Sequence, residues 1–102
     1  MIARVFESEV VPDGVPAFSA WIAEKAWPTV SKRAGFLGGA VYRDLDASRS
    51  RIYIVAYWRD EESIASYIGQ DWRSTPLVDE EERALMVGEP LLSHYLRLRV
   101  TP

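Results

Sequence analysis

The chain has 102 residues, enough for one domain with a modest core. At 48% hydrophobic and 26% charged it has the balance of a soluble globular protein rather than a disordered one. A formal charge of −3 leaves no basic footprint for nucleic acid or anionic membrane, and the lack of Cys excludes disulfides, thiolate chemistry and Cys-based metal sites.

Residues 2–11 alternate as a first strand, with Ile2, Arg4, Phe6 and Ser8 on one face and Ala3, Val5, Glu7 and Glu9 on the other. The opening has no long apolar core, so neither a signal peptide nor a membrane span is expected there, and a cytoplasmic location follows as the expectation. Pro12, Asp13 and Gly14 supply turn chemistry. Residues 15–34 read as a helix, with Val15, Phe18, Ile22, Ala26 and Val30 at helical spacing. Pro28 removes a helical hydrogen bond and is expected to kink or split it. Lys32 and Arg33 suit a helix C-terminus, and Gly35 a left-handed cap.

Two apolar runs then flank the polar residues 46–50, the pattern of a β-hairpin. Gly38 and Gly39 in the first run point to a bulge or a close backbone approach. In the second run both alternating sets are apolar or aromatic: Ile52, Ile54, Ala56, Trp58 and Tyr53, Val55, Tyr57. A strand with one face in water alternates apolar with polar. This strand is therefore expected to be covered on both faces, by the chain's own helices and by a second copy of the chain.

Asp60 is placed to cap a second helix whose buried stripe is Ile64, Tyr67 and Ile68. Thr75 and Pro76 read as the start of a short extra helix, with Leu77, Ala84 and Leu85 inward and residues 80–82 a solvated acidic face. Residues 88–90 read as a chain break, and 92–100 as the last strand with His94 on one face and Tyr95 on the other. The order is strand, helix, strand, strand, helix, strand. This is the split βαβ plan: a single α+β, ferredoxin-like domain over 1–102, with one antiparallel sheet carrying both main helices on one face. The other face is left apolar, more than a monomer exposes, so a homodimer is expected.

The glycine-rich strand start at 35–38, the run 54–63 with Trp58, the segment 71–73 with Trp72, and the closing His94 and Tyr95 resemble the antibiotic biosynthesis monooxygenase family of dimeric α/β barrels. The resemblance implies an oxygenase without metal, flavin or haem, acting on a small reduced aromatic of anthrone or quinol type that itself gives electrons to dioxygen once deprotonated. It leaves open a non-catalytic dimeric barrel that binds a small apolar ligand, and another small-molecule enzyme on the same fold such as an isomerase, decarboxylase or cyclase. The haem-degrading branch of this superfamily places an Asn, a Trp and a His where this chain has Glu7, Tyr67 and Leu77, so haem degradation is not expected. His94, the only histidine, is a candidate base, or else a strand residue satisfied at the dimer interface. Glu7 is a candidate base if desolvated in a pocket. Tyr67 is a candidate donor to a substrate carbonyl, with core packing as the alternative. Trp58 and Trp72 are candidate ligand contacts, the first lining a pocket and the second anchoring a loop over its mouth.

Overall fold

The computed structural model describes all 102 residues. Four strands, β1 (Ile2–Val10), β2 (Phe36–Arg43), β3 (Arg51–Trp58) and β4 (Met86–Leu96), form one antiparallel sheet in the order β2-β3-β1-β4. The register sets Arg4 opposite Ala56 on β3 and His94 on β4, and Phe6 opposite Ile54 and Leu92. Side chains alternate across a strand, so these residues share one face. That face carries the buried Phe6, Ile52 and Trp58, and the helices lie on it. On the other face Val5 and Val55 sit opposite each other, flanked by Tyr53 and Tyr57, with no helix above them. The ferredoxin-like α+β arrangement is therefore as expected from the order of elements. No helix is long and apolar enough to cross a membrane.

The first helical stretch starts at Val15, but it divides into α1 (Val15–Trp21), a π-helical turn (Ile22–Ala26) and α2 (Trp27–Val30). Pro28 has no N–H, and its ring crowds the carbonyl four residues back. The wider turn relieves that crowding, and the Trp27 N–H bonds Ile22 O across it. Residues four apart drift by about 40° on a straight α-helix. The wider turn holds Ile22, Ala26 and Val30 toward the sheet despite that spacing. The helix ends four residues before its expected limit, so Lys32 and Arg33 sit in the following turn. Gly35 is left-handed, with φ +85°, and a Cβ there would stand 2.0 Å from Ser63 Oγ.

The hairpin stands as read. Gly38 occupies a register shift between β2 and β3, and Gly39 lies under the Trp27 ring, where a Cβ would meet Val55 O at 2.3 Å. One is a bulge and the other a close approach. Helix α3 (Glu61–Ile68) is capped as expected: Asp60 accepts from Ser63 N at 2.8 Å and from Ser63 Oγ at 2.6 Å.

Four readings of the C-terminal third need correction. Thr75 does not cap a helix. Residues 75–79 are irregular, Leu77 is left-handed at φ 55°, and α4 (Glu80–Leu85) begins only after Asp79, which forms a capping box with Glu82. Leu77 and Ala84 are exposed rather than inward. Residues 88–90 do not break the chain: β4 runs through them, and a bulge absorbs them, since Glu9 pairs with Val87 and Glu7 with Leu91. An edge strand tolerates Pro90 there because a bulge needs no ladder donor. Strand β4 ends at Leu96, with Arg97 N bonded to Met1 O at 3.0 Å, so Leu98 and Val100 lie beyond the sheet.

Candidate active site

Between the two apolar clusters of the core, one around Phe6, Phe18 and Ile52 and one around Trp58, Ile64 and Trp72, lies a cavity of about 120 Å³. Its floor is the sheet face at Arg4, Phe6, Ile54, Ala56 and Trp58. Its walls are Ile22, Ala26, Trp27 and Val30 from the first helical stretch and Tyr67 and Ile68 from α3, and Pro76, Leu77 and Glu82 close it. Ala26, Tyr67, Leu77 and Glu82 also line a more polar outer groove of about 560 Å³, which Lys25, Arg33 and Asp79 help to form. The inner cavity, about 120 Å³ and continuous with the groove through shared lining residues, is near the roughly 150 Å³ that holds one benzene ring. Cavity and groove together fall within the roughly 300–1,000 Å³ of small-molecule sites.

Most of the inner lining is apolar, so its polar groups stand out. Arg4 is 7% exposed. Nη1 donates to Trp72 O at 2.7 Å and to His94 Nε2 at 2.8 Å, and Nη2 donates to Thr75 O. These bonds use three of the five guanidinium N–H groups. Burial lowers the Arg4 pKa to about 10, partly offset by attraction to Tyr67, so the group stays charged at neutral pH. No carboxylate pairs with it; its partners are two carbonyls and an imidazole.

Trp58 is 1% exposed, and its indole N–H has no partner in the protein. Its ring stacks on Tyr67 at 5.8 Å, and Arg33 lies 4.9 Å from the Tyr67 ring centre. Glu82 is 7% exposed. It accepts from Asp79 N at 3.2 Å through Oε1. Burial pushes its carboxyl up to about 7, the Asp79 N–H pulls it down, and the Asp79 charge pushes it further up.

Of the residues named from sequence, Trp58 and Tyr67 line the cavity together. His94 and Trp72 do not; they stand behind Arg4, with their rings edge to face at 4.8 Å. Because a guanidinium only donates, His94 Nε2 is the acceptor and Nδ1 carries the proton. Burial, then Arg4, then Arg73 lower the His94 pKa, which keeps the ring neutral. Glu7, expected as a pocket base, is on the opposite face of the sheet and pairs with Arg51 at 3.2 Å. The alternation of β1 puts it there: only even-numbered residues of this strand face the helices.

Arg4 and Glu82 are the cavity residues that sequence reading missed. Arg4 did share a face with Ile2 and Phe6, and a charge within an apolar set was the available signal. Glu82 was hidden in an acidic run, although Asp79 and Glu82 have capping-box spacing.

The family model for antibiotic biosynthesis monooxygenases matches residues 1–78. The chain belongs to this family. The matched stretch ends before α4 and β4, so Glu82 and His94 lie outside it. No curated protein matches the sequence significantly.

Among solved structures, a monooxygenase of Streptomyces coelicolor in complex with nanaomycin D is 20% identical, with a TM-score of 0.77 over 99% of this chain and 91% of that one. A haem degrader of Mycobacterium tuberculosis with two haems in its active site is 16% identical, with a TM-score of 0.75 over 100% of both chains. A conserved protein of Methanosarcina mazei is 20% identical, with a TM-score of 0.70 over 92% of this chain and 89% of that one. At such identities the likeness shows the fold alone, and the fold is shared by members with different ligands.

The cavity lining offers no histidine as an axial haem ligand, and the single His94 is bonded to Arg4.

Proposed function

We propose that this protein is a cofactor-independent oxygenase that oxidises a small reduced aromatic of anthrone or quinol type with dioxygen. The observation behind this reading is a buried cation without a counter-ion, Arg4, in the same apolar cavity as the unpartnered Trp58 N–H. Buried charges are costly unless paired, and buried donors are costly unless bonded. A deprotonated phenol or enol supplies both the negative charge and the acceptor, while its ring suits the apolar walls. Arg4, Trp58 and Tyr67 then act as preorganised stabilisers of the anion, which is the form able to give electrons to dioxygen.

For an anthrone the balance is simple. Both C–H bonds of the central methylene break, one oxygen atom becomes the new carbonyl, the other leaves as water, and the four electrons come from the substrate. The test is anthrone turnover under ¹⁸O₂. The expected result is a quinone with one labelled oxygen and equal consumption of anthrone and dioxygen. No turnover across a panel of anthrones and quinols overturns the reading.

The small inner volume favours a second reading, a barrel that binds a small apolar ligand without chemistry. Tight binding of such a ligand with no product would support it. In either case we propose a homodimer, joined through the sheet face that carries Val5, Val55 and Tyr53.

A further inference from the structure

We propose that Glu82 is the general base of this site, taking the acidic proton, hydroxyl of a quinol or methylene of an anthrone, from an aromatic substrate whose first ring fills the inner cavity and whose remaining rings lie in the outer groove. The inference rests on the oxygenase reading for the reaction that follows, but not for the proton transfer itself.

Volume sets the pose. The inner cavity of about 120 Å³ takes one ring at most, so a larger substrate must cross into the groove. The crossing is formed by Ala26, Tyr67, Leu77 and Glu82, which line both spaces. Among these four only Glu82 can accept a proton as an anion. One of its oxygens is held by the Asp79 N–H, which fixes the carboxylate, while Oε2 has no protein partner. On the sheet floor Arg4 has N–H groups to spare, and the buried Trp58 N–H has no protein partner. Proton acceptor and anion stabilisers therefore lie on different walls of one cavity. In the step, the acidic bond of the substrate breaks, O–H in a quinol and methylene C–H in an anthrone, its proton goes to Glu82, and the electron pair left behind is delocalised onto the substrate oxygen, which Arg4 stabilises.

The environment makes Glu82 a competent base near neutrality, since burial pushes its carboxyl up to about 7. The other charged or titratable groups that line the cavity or groove are Arg4 from β1, Lys25 from the π turn, Arg33 after α2, Tyr67 from α3, and Asp79 and Glu81 from the start of α4.

Glu82→Gln is the test, because Gln keeps an oxygen for the Asp79 N–H and loses only the titration. The probe is 4-nitrophenolate, bound at pH 8 and followed by calorimetry in two buffers of different ionisation enthalpy. Wild type is expected to take up about one proton per phenolate bound, shared between ligand and Glu82. Glu82→Gln is expected to take up none, and Glu82→Asp, which keeps a carboxyl, to retain the uptake. With anthrone, wild-type kcat/KM is expected to rise through pH 7, and Glu82→Gln to be ~10²–10⁴-fold slower without that inflection.

Equal proton uptake in wild type and Glu82→Gln overturns the assignment, and so does failure of wild type to bind the phenolate. Proton uptake confined to the carboxyl-bearing proteins, with no turnover across the panel of anthrones and quinols, upholds Glu82 as the proton acceptor and overturns the oxygenase reading instead.

Discussion

Arg4 keeps its charge in a place where a bare charge is costly, and three acceptors hold it there. Arg4→Met leaves the carbonyls of Trp72 and Thr75 unsatisfied. It is expected to lower stability by at least about 2 kcal/mol in urea unfolding, and to slow anthrone oxidation by roughly 10²–10³-fold, the usual effect of losing one preorganised donor. In the proposed reaction His94 acts only through Arg4, to which it is bonded. A Gln at 94 can still accept from Nη1 and an Ala cannot, so His94→Gln is expected to keep most activity and His94→Ala to lose it, with little change in KM if Arg4 acts mainly on the transition state. A pH series separates the two roles of the ring. Its folded pKa is lowered from 6.5, so it contributes stability above that value which is lost as pH falls below it. His94→Gln is expected to flatten that acid limb of a thermal melting profile. An unchanged limb would show that His94 does not titrate between the folded and unfolded states.

Helix α4 is the element where structure and pH are most directly linked. The folded chain keeps the Glu82 proton up to about pH 7, whereas a free glutamate loses it near 4.5. Protonation therefore favours the folded state, and the stability it gives, present in full below pH 4.5, is lost as pH rises through about 7. Glu82→Gln is expected to raise Tm at pH 8 and to leave it nearly unchanged at pH 4.5; equal shifts at both values would place the effect in packing rather than charge. The strand-to-helix junction gives a sharper test. Gly35→Ala adds a Cβ at φ +85° and 2.0 Å from Ser63 Oγ, so it is expected to be strongly destabilising, with Ser63→Gly restoring part of the loss. These elements also show what the sequence could reveal. Strand and helix order were legible because period 2 and helical spacing persist across most of the chain. The capping of α3 was legible because Asp60 acts on its own neighbours. Residues 75–90 were misread because Pro76 and Gly88 look like punctuation locally, while a capping box at Asp79 and a bulge opposite β1 decide the outcome. The cavity residues were only half legible: Trp58 and Tyr67 are aromatic and invite attention, but the burial of Arg4 and Glu82 is a tertiary fact.

At the scale of the whole molecule, one face of the sheet is filled by helices and the other has no helix above it, only the Arg97 guanidinium over the Tyr57 ring at 5.0 Å. The open face carries Tyr42, Tyr53, Val55, Tyr57, Leu91 and Tyr95, with Tyr42, Leu91 and Tyr95 exposed by 55%, 58% and 59%. With strands ~4.8 Å apart and residues rising ~3.3 Å, four strands of seven or eight residues present a plan of roughly 450–500 Å². The corrugation of large side chains enlarges that toward the ~800 Å² that each partner buries in a stable interface. A solitary domain rarely exposes an apolar patch this large. A second copy covers it without any new surface, because a two-fold axis through the face sets the same patch against itself. The centre of the face is the pair Val5 and Val55, so a charge introduced there appears twice in each dimer, desolvated and close to its symmetry mate. Wild type is expected to sediment as a dimer at micromolar concentration and Val55→Lys as a folded monomer. Glu7 lies on this face beside Tyr53, already paired with Arg51, and Glu7→Gln is expected to leave both the cavity and its proton uptake untouched. A wild-type monomer would leave the aromatic face without its proposed cover. A Val55→Lys dimer would place the contact elsewhere, with the C-terminal residues Leu98 and Val100, exposed by 85% and 65%, as the next surface to substitute.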